Sequence, residues 1–112
     1  LETRANIGNN QTTFANIQDF YFDSTVVRSF NVSGNLYRKI GTTELFEEFS
    51  INGLFRGDSI GWDISQDSMG NAGVIFEMTP YGQMRYKSTS MSGDPLTYEG
   101  IIKFRGIGIS QV

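Results

Sequence analysis

One segment of the chain, Gly73–Ser88, constrains the fold more than any other, and it reads GVIFEMTPYGQMRYKS. Apolar side chains take alternate positions on both sides of Thr79–Gly82, and this period of two is typical of strands with one buried face. Pro80 has the fixed φ that suits the second position of a tight turn, and Gly82 accommodates a positive φ where the turn closes. The segment therefore predicts a β-hairpin.

Short alternating segments of the same kind recur along the chain. They cover residues 14–22, 25–33, 36–40, 59–65 and 96–109, with turn signals at Asp23-Ser24, Gly34-Asn35, Gly41-Thr42 and 56–58. Residues 43–55 fit either a helical turn or a strand, and we favour a strand because Ser50–Gly53 would not continue a helix. The sequence predicts an all-β fold, an antiparallel β-sandwich of seven or eight strands, either immunoglobulin-like or a small jelly roll.

The length of 112 residues predicts a single domain. We interpret the polar residues 1–13 as an N-terminal arm or linker, and residues 14–112 as one β-sandwich domain. Because the chain begins at Leu1 and not at a Met, we expect a processed product, a trimmed chain or a piece of a longer polypeptide.

The composition argues against several classes of function. The sequence contains no Cys and no His, which removes thiol chemistry and the usual general base and metal ligand near neutral pH. The net charge of −3 disfavours a nucleic-acid partner, because a protein that binds nucleic acid normally carries a stripe of basic side chains. Apolar runs are all shorter than the ~20 residues that cross a bilayer, so we expect no membrane partner. No nucleophile and base stand together, and we therefore expect neither an enzyme nor a bound cofactor.

Two groups of side chains admit a binding role, and each also has a plainer structural interpretation. Three carboxylates could offer oxygen ligands to Ca²⁺, namely Asp58, Asp63 and Asp67, but their spacing is not that of an EF-hand. We therefore favour a structural interpretation, in which Asp58 and Asp67 cap turns and Asp63 faces solvent. An aromatic platform for a sugar ring is available from Trp62, Tyr81, Tyr86 and Tyr98. Trp62 alternates with isoleucines, which favours a place in the core, whereas Tyr81 lies at a turn tip.

The order of three segments resembles a small β-module of phage virion and tail-fibre structural proteins. The shared motifs are W-x-I, G-V-x-F-x-I-T-x-x-G-Q-x-x-Y-x-S and I-K-F-R, which here fall at 62–64, 73–88 and 102–105. The likeness is best over residues 59–105. It implies a structural or host-binding role on a virus particle, often within a trimer, and it carries over no catalytic residues.

We therefore expect a non-enzymatic phage virion structural protein at the virion surface, acting in assembly or host attachment. It would be a tail-fibre or receptor-binding module, or a capsid-decoration module. The alternative is a secreted carbohydrate-binding module or surface adhesin domain, with an extracellular location.

The expected partners are other virion subunits, further copies of the chain (a trimer among the arrangements), and a host-surface glycan or protein. Self-association is expected because four isoleucines on the face opposite the core would form an outer apolar patch: Ile75, Ile101, Ile107 and Ile109. Recognition is expected at the loop tips 66–72, 80–82 and 88–95, because loops vary without unfolding a rigid scaffold. Tyr81 is the first candidate for contact, with hydrogen bonds from Asn71, Asp67 and Asp94.

Overall fold

Eight antiparallel strands form two stacked sheets in the computed structural model, which describes residues 2–112. The five-stranded sheet contains, in spatial order, β1 (Thr3–Asn6), β8 (Glu99–Ser110), β3 (Val27–Ile40), β4 (Thr43–Phe55) and β5 (Trp62–Gly70). The three-stranded sheet contains β2 (Ala15–Tyr21), β7 (Gln83–Ser88) and β6 (Val74–Met78), and a 3-10 helix (Pro95–Thr97) precedes β8. The predicted all-β antiparallel sandwich is confirmed. Within residues 2–112, no helix is long and apolar enough to cross a membrane.

The core lies between the two sheets and is rich in aromatic rings. Phe20 of β2 stacks on Phe104 of β8 with ring centroids 4.7 Å apart, and the ring of Phe49 in β4 meets that of Phe76 in β6 at 5.3 Å. These contacts join the sheets, because each pair takes one ring from either layer. They follow from the period of two, which sends alternate side chains of every strand inward.

The hairpin of β6 and β7 forms as predicted. The Gly82 N–H donates to the Thr79 carbonyl at 3.0 Å, and the Thr79 N–H donates to the Gln83 carbonyl at 2.9 Å. Gly82 has a φ of 108°. A Cβ at this position would collide with the backbone carbonyl of Phe22, so the turn and the β2–β3 connection both require a glycine here.

The predicted turn at Gly34-Asn35 is wrong, because the chain runs straight through it as the middle of the 14-residue strand β3. Gly34 pairs with Phe49 on one side and Phe104 on the other. A Cβ on Gly34 would stand 2.5 Å from the carbonyl oxygen of Lys103, 2.7 Å from the ring of Phe49 and 3.0 Å from Cβ of Phe104. The glycine therefore makes room for the backbone of β8 and the Phe49 ring, and it does not reverse the chain.

The N-terminal segment packs on the sheet and is not a free arm over the residues the structure describes. Residues 3–6 form β1, which pairs with β8, and Ala5 and Ile7 are buried. The Ile7 N–H also donates to the Gly100 carbonyl at 2.9 Å. Two apolar side chains at the inward positions of an otherwise polar stretch are enough to dock this strand. Leu1 lies outside the described residues.

The loop predicted at residues 66–72 is also shorter than expected, because Gln66–Gly70 continues β5. β5 is an edge strand, and the three-stranded sheet is too narrow to cover it. Its inward positions Gln66 and Ser68 are therefore exposed, and the alternation that marks a half-buried strand is missing. Ile60, one of the two isoleucines that alternate with Trp62 in the sequence, precedes the strand and is exposed, whereas Ile64 packs against the core.

A fully buried arginine, Arg38 of β3, connects three separate parts of the chain. Its Nη1 donates to the Ala72 carbonyl at 2.8 Å and to Thr89 Oγ1 at 3.0 Å, while Nη2 donates to Asn9 Oδ1 at 2.9 Å and to the Thr89 carbonyl at 2.7 Å. Nε donates to Tyr98 Oη at 3.1 Å. All five N–H donors of the guanidinium are satisfied, as burial of this group requires.

Candidate interaction surfaces

The four residues expected to bind a partner lie in three separate regions of an elongated molecule, whose longest extent is 49 Å. Tyr81 lies in the β6–β7 turn, at the end of the sandwich that also carries the β2–β3 connection. Asn71 and Asp94 lie at the opposite end. Asp67 lies in the middle of edge strand β5. The structure therefore does not gather them into one site.

The Tyr81 tip is an exposed aromatic on a well-held turn. Ser24 fixes it from the side, since its N–H donates to the Tyr81 carbonyl at 3.3 Å and its hydroxyl donates to the Pro80 carbonyl at 2.9 Å. Asp23 in turn accepts hydrogen bonds from the backbone and the hydroxyl of Thr25, which lowers the pKa of Asp23. The Tyr81 side chain is 61 % exposed, so its ring is free for contact.

Asn71 and Asp94 both act on their own backbone. Asn71 Oδ1 accepts from the Gly73 N–H at 2.8 Å, and Asp94 Oδ1 accepts from the Leu96 N–H at 3.0 Å, where it caps the 3-10 helix. These contacts are local turn chemistry. Both side chains are nevertheless exposed, and each carboxamide or carboxylate retains further hydrogen-bonding capacity.

The turn that carries Asn71 is held by two buried charges of opposite sign. Glu47 Oε1 accepts from the Ala72 N–H at 3.0 Å, and its Oε2 accepts from the Ser68 hydroxyl at 2.7 Å. Arg38 donates to the carbonyl of the same Ala72. The backbone of Ala72 therefore lies between the Glu47 carboxylate and the Arg38 guanidinium, and both side chains position the β5–β6 connection. Sequence reasoning missed this pair, because neither charge stands out in a chain with many polar strand positions.

The aromatic platform expected from four rings is not formed as a unit. Tyr86 is buried, and its hydroxyl accepts from the Gly8 N–H at 2.8 Å. Tyr98 is half-buried and donates to the Ile7 carbonyl at 2.8 Å. Trp62 packs against Phe30 and Phe55 and is partly buried against the core. Tyr81 alone of the four is exposed.

The widest exposed surface is the side of the five-stranded sheet that faces away from the core, here called the outer face. Registered pairing places its side chains in rows across the strands. Three of these rows, each read from the β5 side toward β1, are Asp67–Ser50–Ser33–Arg105, Met69–Glu48–Asn35–Lys103–Arg4 and Phe46–Tyr37–Ile101–Asn6. Asp63 and Asp67 both point outward here, and Asp63 lies 3.7 Å from Arg56.

Two adjoining hollows occupy the outer face. One, of about 930 Å³, lies over Ser33, Ser50 and Asp67, and the other, of about 680 Å³, lies over Tyr37, Phe46 and Ile101. Tyr37 Oη donates to Glu44 Oε2 at 2.7 Å, and this hydrogen bond raises the pKa of Tyr37 to about 12. The hollows combine hydroxyl, amide and carboxylate groups at the centre with apolar walls toward one end.

Of the four isoleucines expected on outer surfaces, three are exposed and one is not. Ile75 lies on the three-stranded sheet, and Ile107 and Ile109 lie on the outer face, all with more than half of their surface exposed. Ile101 is only 8 % exposed, because it forms the floor of the second hollow.

The fold defines the class of the chain as an antiparallel β-sandwich of eight strands. A scan against protein-family models and a search of characterised proteins both find no match. A comparison with solved structures finds similarity to the crystal structure of the Acinetobacter phage vB_ApiP_P1 tailspike protein, with a TM-score of 0.55 and 10 % sequence identity. The similarity covers 99 % of this chain and 22 % of the tailspike chain, so this chain spans about a fifth of that protein's length. At this identity the likeness is one of fold.

Proposed function

We propose that this chain is a non-enzymatic structural component of a phage virion, acting at the virion surface in assembly or host attachment. The observation that carries the proposal is the fold match over 99 % of the chain to part of a phage tailspike protein. The resemblance of the segments at 62–64, 73–88 and 102–105 to a virion β-module supports the same assignment independently.

Within this role, the Tyr81 tip is the proposed point of contact with a host-surface glycan or protein. A rigid sandwich with an exposed aromatic at a fixed turn offers large contact area at low entropic cost. The turn is held by Ser24 and by Gly82, so little ordering is needed on binding. Asn71, Asp67 and Asp94 lie too far from this tip to share one small ligand, and they are proposed to contact neighbouring virion subunits.

A competition experiment tests host attachment. Purified protein should reduce adsorption of the corresponding phage to its host, and Tyr81→Ala should lose most of this inhibition while retaining the parent's thermal melt. Leu96→Ala is the control, because Leu96 is 93 % exposed in the 3-10 helix at the opposite end of the sandwich, and its removal should leave inhibition unchanged. Equal inhibition by Tyr81→Ala and the parent would contradict a role for this residue in attachment.

A second candidate function is a secreted carbohydrate-binding module or adhesin domain, and the central hollow of the outer face favours it. Hydroxyl, amide and carboxylate groups line this hollow at Ser50, Asn35 and Asp67, and such groups hold sugar hydroxyls. A monomer that binds defined glycans on an array and loses binding in Asp67→Ala would support this candidate over the virion component.

A further inference from the structure

We propose that the free edge of β5 binds an extended, cationic strand of another protein, which adds to the five-stranded sheet in antiparallel orientation. The inference deepens the proposed function and rests on it, since it names how a neighbouring virion subunit would attach to this chain. It stands on three features of β5: its unpaired backbone, its half-covered inward side chains and an outward carboxylate.

The backbone of β5 presents a regular row of unpaired hydrogen-bonding groups. β5 pairs with β4 in unbroken register, and the structure places no strand on its other side within residues 2–112. The Arg56 N–H donates to the Gly61 carbonyl at 2.9 Å, which sets the phase of the ladder. Odd-numbered residues of β5 therefore direct their N–H and C=O groups to β4, and even-numbered residues direct theirs away from it. The free edge thus consists of the backbone groups of Trp62, Ile64, Gln66, Ser68 and Gly70.

The other three sheet edges carry features that hinder strand addition, and β5 does not. β1 and β6 have only four and five residues, and β2 has a register shift and a φ of 65° at Asp19. Short length, bulges, Lys and Pro are the usual means by which edge strands avoid unwanted pairing. β5 has nine residues and contains neither Lys nor Pro. It is therefore the edge that a partner strand fits best.

The inward side chains of β5 indicate what the partner strand places beside them. Trp62 and Ile64 are partly buried against the core, whereas Gln66 and Ser68 are exposed. Side chains directly opposite each other on neighbouring strands are the contacts that stabilise a sheet. The fitting partner therefore has apolar side chains opposite Trp62 and Ile64 and polar ones opposite Gln66 and Ser68.

The side chains that β5 presents on the outer face indicate the charge of the partner. Asp63 lies 3.7 Å from Arg56, whereas Asp67 forms no ion pair within residues 2–112. A lysine or arginine opposite Asp67 would supply the cation, and opposite charges across a strand pair are stabilising. The partner strand is therefore expected to be cationic on the side that continues the outer face.

The same carboxylates argue against a second copy of this chain at the free edge. Antiparallel pairing of two β5 strands keeps the outer faces of both copies on one side of the joined sheet. It would gather Asp63 and Asp67 of both copies on that side, which like-charge repulsion disfavours. A cationic strand from a different protein meets no such repulsion.

Synthetic peptides of the same length as β5 serve as probes for strand addition. The cationic probe has lysine at every second position, with threonine between the lysines in its first half and valine in its second half. The acidic probe has glutamate in place of lysine. The blocked probe is the cationic probe with proline at its central inward position, where the proline removes one donor from the new ladder.

Two measurements on the parent protein locate the probe and rank the three peptides. Trp62 is the single tryptophan and begins β5, so its fluorescence reports the dissociation constant. The acidic and blocked probes should bind at least about 10-fold more weakly than the cationic probe. The cationic probe should slow amide hydrogen exchange at least about 10-fold at Ile64, Gln66 and Ser68, and leave it unchanged at Ser65 and Asp67, which already face β4. A peptide bound elsewhere would not give this alternation.

Two variants separate the backbone contact from the charge contact. Gln66→Pro removes an N–H from the free edge and no hydrogen bond to β4, and it should weaken the cationic probe at least about 10-fold while the variant remains folded by thermal melt. Asp67→Lys changes an exposed side chain and should favour the acidic probe over the cationic one. Asp58→Lys is the control, because it makes the same change of charge in the β4–β5 loop and should keep the parent's preference.

Several outcomes would overturn the inference. A parent that binds none of the probes, or a cationic probe that leaves exchange along β5 unchanged, would do so. A parent dimer that Gln66→Pro converts to a monomer would also do so, because a second copy would then occupy the free edge. Failure of the proposed function is distinct: a chain that binds the cationic probe at β5 but is absent from virus particles would leave the edge site standing and remove the virion role.

Discussion

The buried guanidinium of Arg38 allows the sharpest test of what holds the sandwich together. Arg38→Met keeps most of the side-chain volume but removes five hydrogen-bond donors. Its acceptors are Tyr98 Oη, Asn9 Oδ1, Thr89 Oγ1 and the carbonyls of Ala72 and Thr89.

The magnitude follows from the acceptors that lose their partner. Asn9 Oδ1 retains the N–H of Met91 at 2.8 Å, and the hydroxyls can turn to other partners. The Thr89 carbonyl retains the N–H of Asn10 at 3.1 Å, whereas the Ala72 carbonyl has no comparable replacement, and an unpaired buried polar group costs ~1–3 kcal/mol. The hydrogen bonds from the guanidinium to the other four acceptors are lost as well. We therefore expect Arg38→Met to lower the free energy of unfolding by about 3–5 kcal/mol, in the range for a buried charge network that loses one member. Arg38→Lys, with three donors, should lose less.

Equilibrium unfolding in urea, followed by the fluorescence of Trp62, measures this directly because the chain has one tryptophan. Lys39→Met is the control, since Lys39 is the next residue along β3 and faces the opposite way; it should change stability by less than about 1 kcal/mol. A loss below about 1 kcal/mol for Arg38→Met would refute the reasoning, because the acceptors would then be satisfied without the guanidinium.

Two further predictions follow from the turn and the outer face. Gly82→Ala should destabilise the protein by about 2 kcal/mol or more, because its new Cβ would meet the Phe22 carbonyl. Gly57→Ala is the control: Gly57 has a φ of 96° but open space around its Cβ, so this change should cost only about 1 kcal/mol. Equal losses of stability in thermal unfolding would contradict the close approach of Gly82 to the Phe22 carbonyl. Tyr37 should titrate near 12 by its ultraviolet absorbance, and Glu44→Gln should lower this pKa toward 10. Because the folded pKa is raised, the stabilising contribution is full below pH 10 and is lost as pH rises through 12; an unchanged titration in Glu44→Gln would contradict the assigned cause.

Local turn chemistry was readable from the sequence, whereas packing between strands was not. The hairpin followed from Pro80 and Gly82, since a tight turn needs those backbone angles within four residues. Position 34 is also a glycine but for a different reason, namely the close approach of the β8 backbone at Lys103 and of the Phe49 ring from β4. That reason depends on register, which no local pattern contains. The turn predicted at Gly34-Asn35 was therefore wrong.

The candidate interaction surfaces also differ in how far the sequence alone could predict them. The Tyr81 tip could be predicted because an aromatic within a turn is a property of four adjacent residues. The outer face could not, because its side chains come from strands far apart in sequence. Glu48 and Lys103 flank one residue of β3 only once the strand order is known. The expectation of self-association from exposed isoleucines identified part of this face at Ile107 and Ile109.

The most direct test of the central claim is whether this chain is present in virus particles. The proposed function predicts that phage particles produced from a genome carrying this coding sequence, purified through a density gradient, contain the chain by mass spectrometry at a fixed stoichiometry to the major capsid protein. Antibody raised against the purified chain should label the tail or capsid surface in electron micrographs. Particles that lack the chain, while it is found free in the medium as a glycan-binding monomer, would contradict the virion assignment and favour the carbohydrate-binding module.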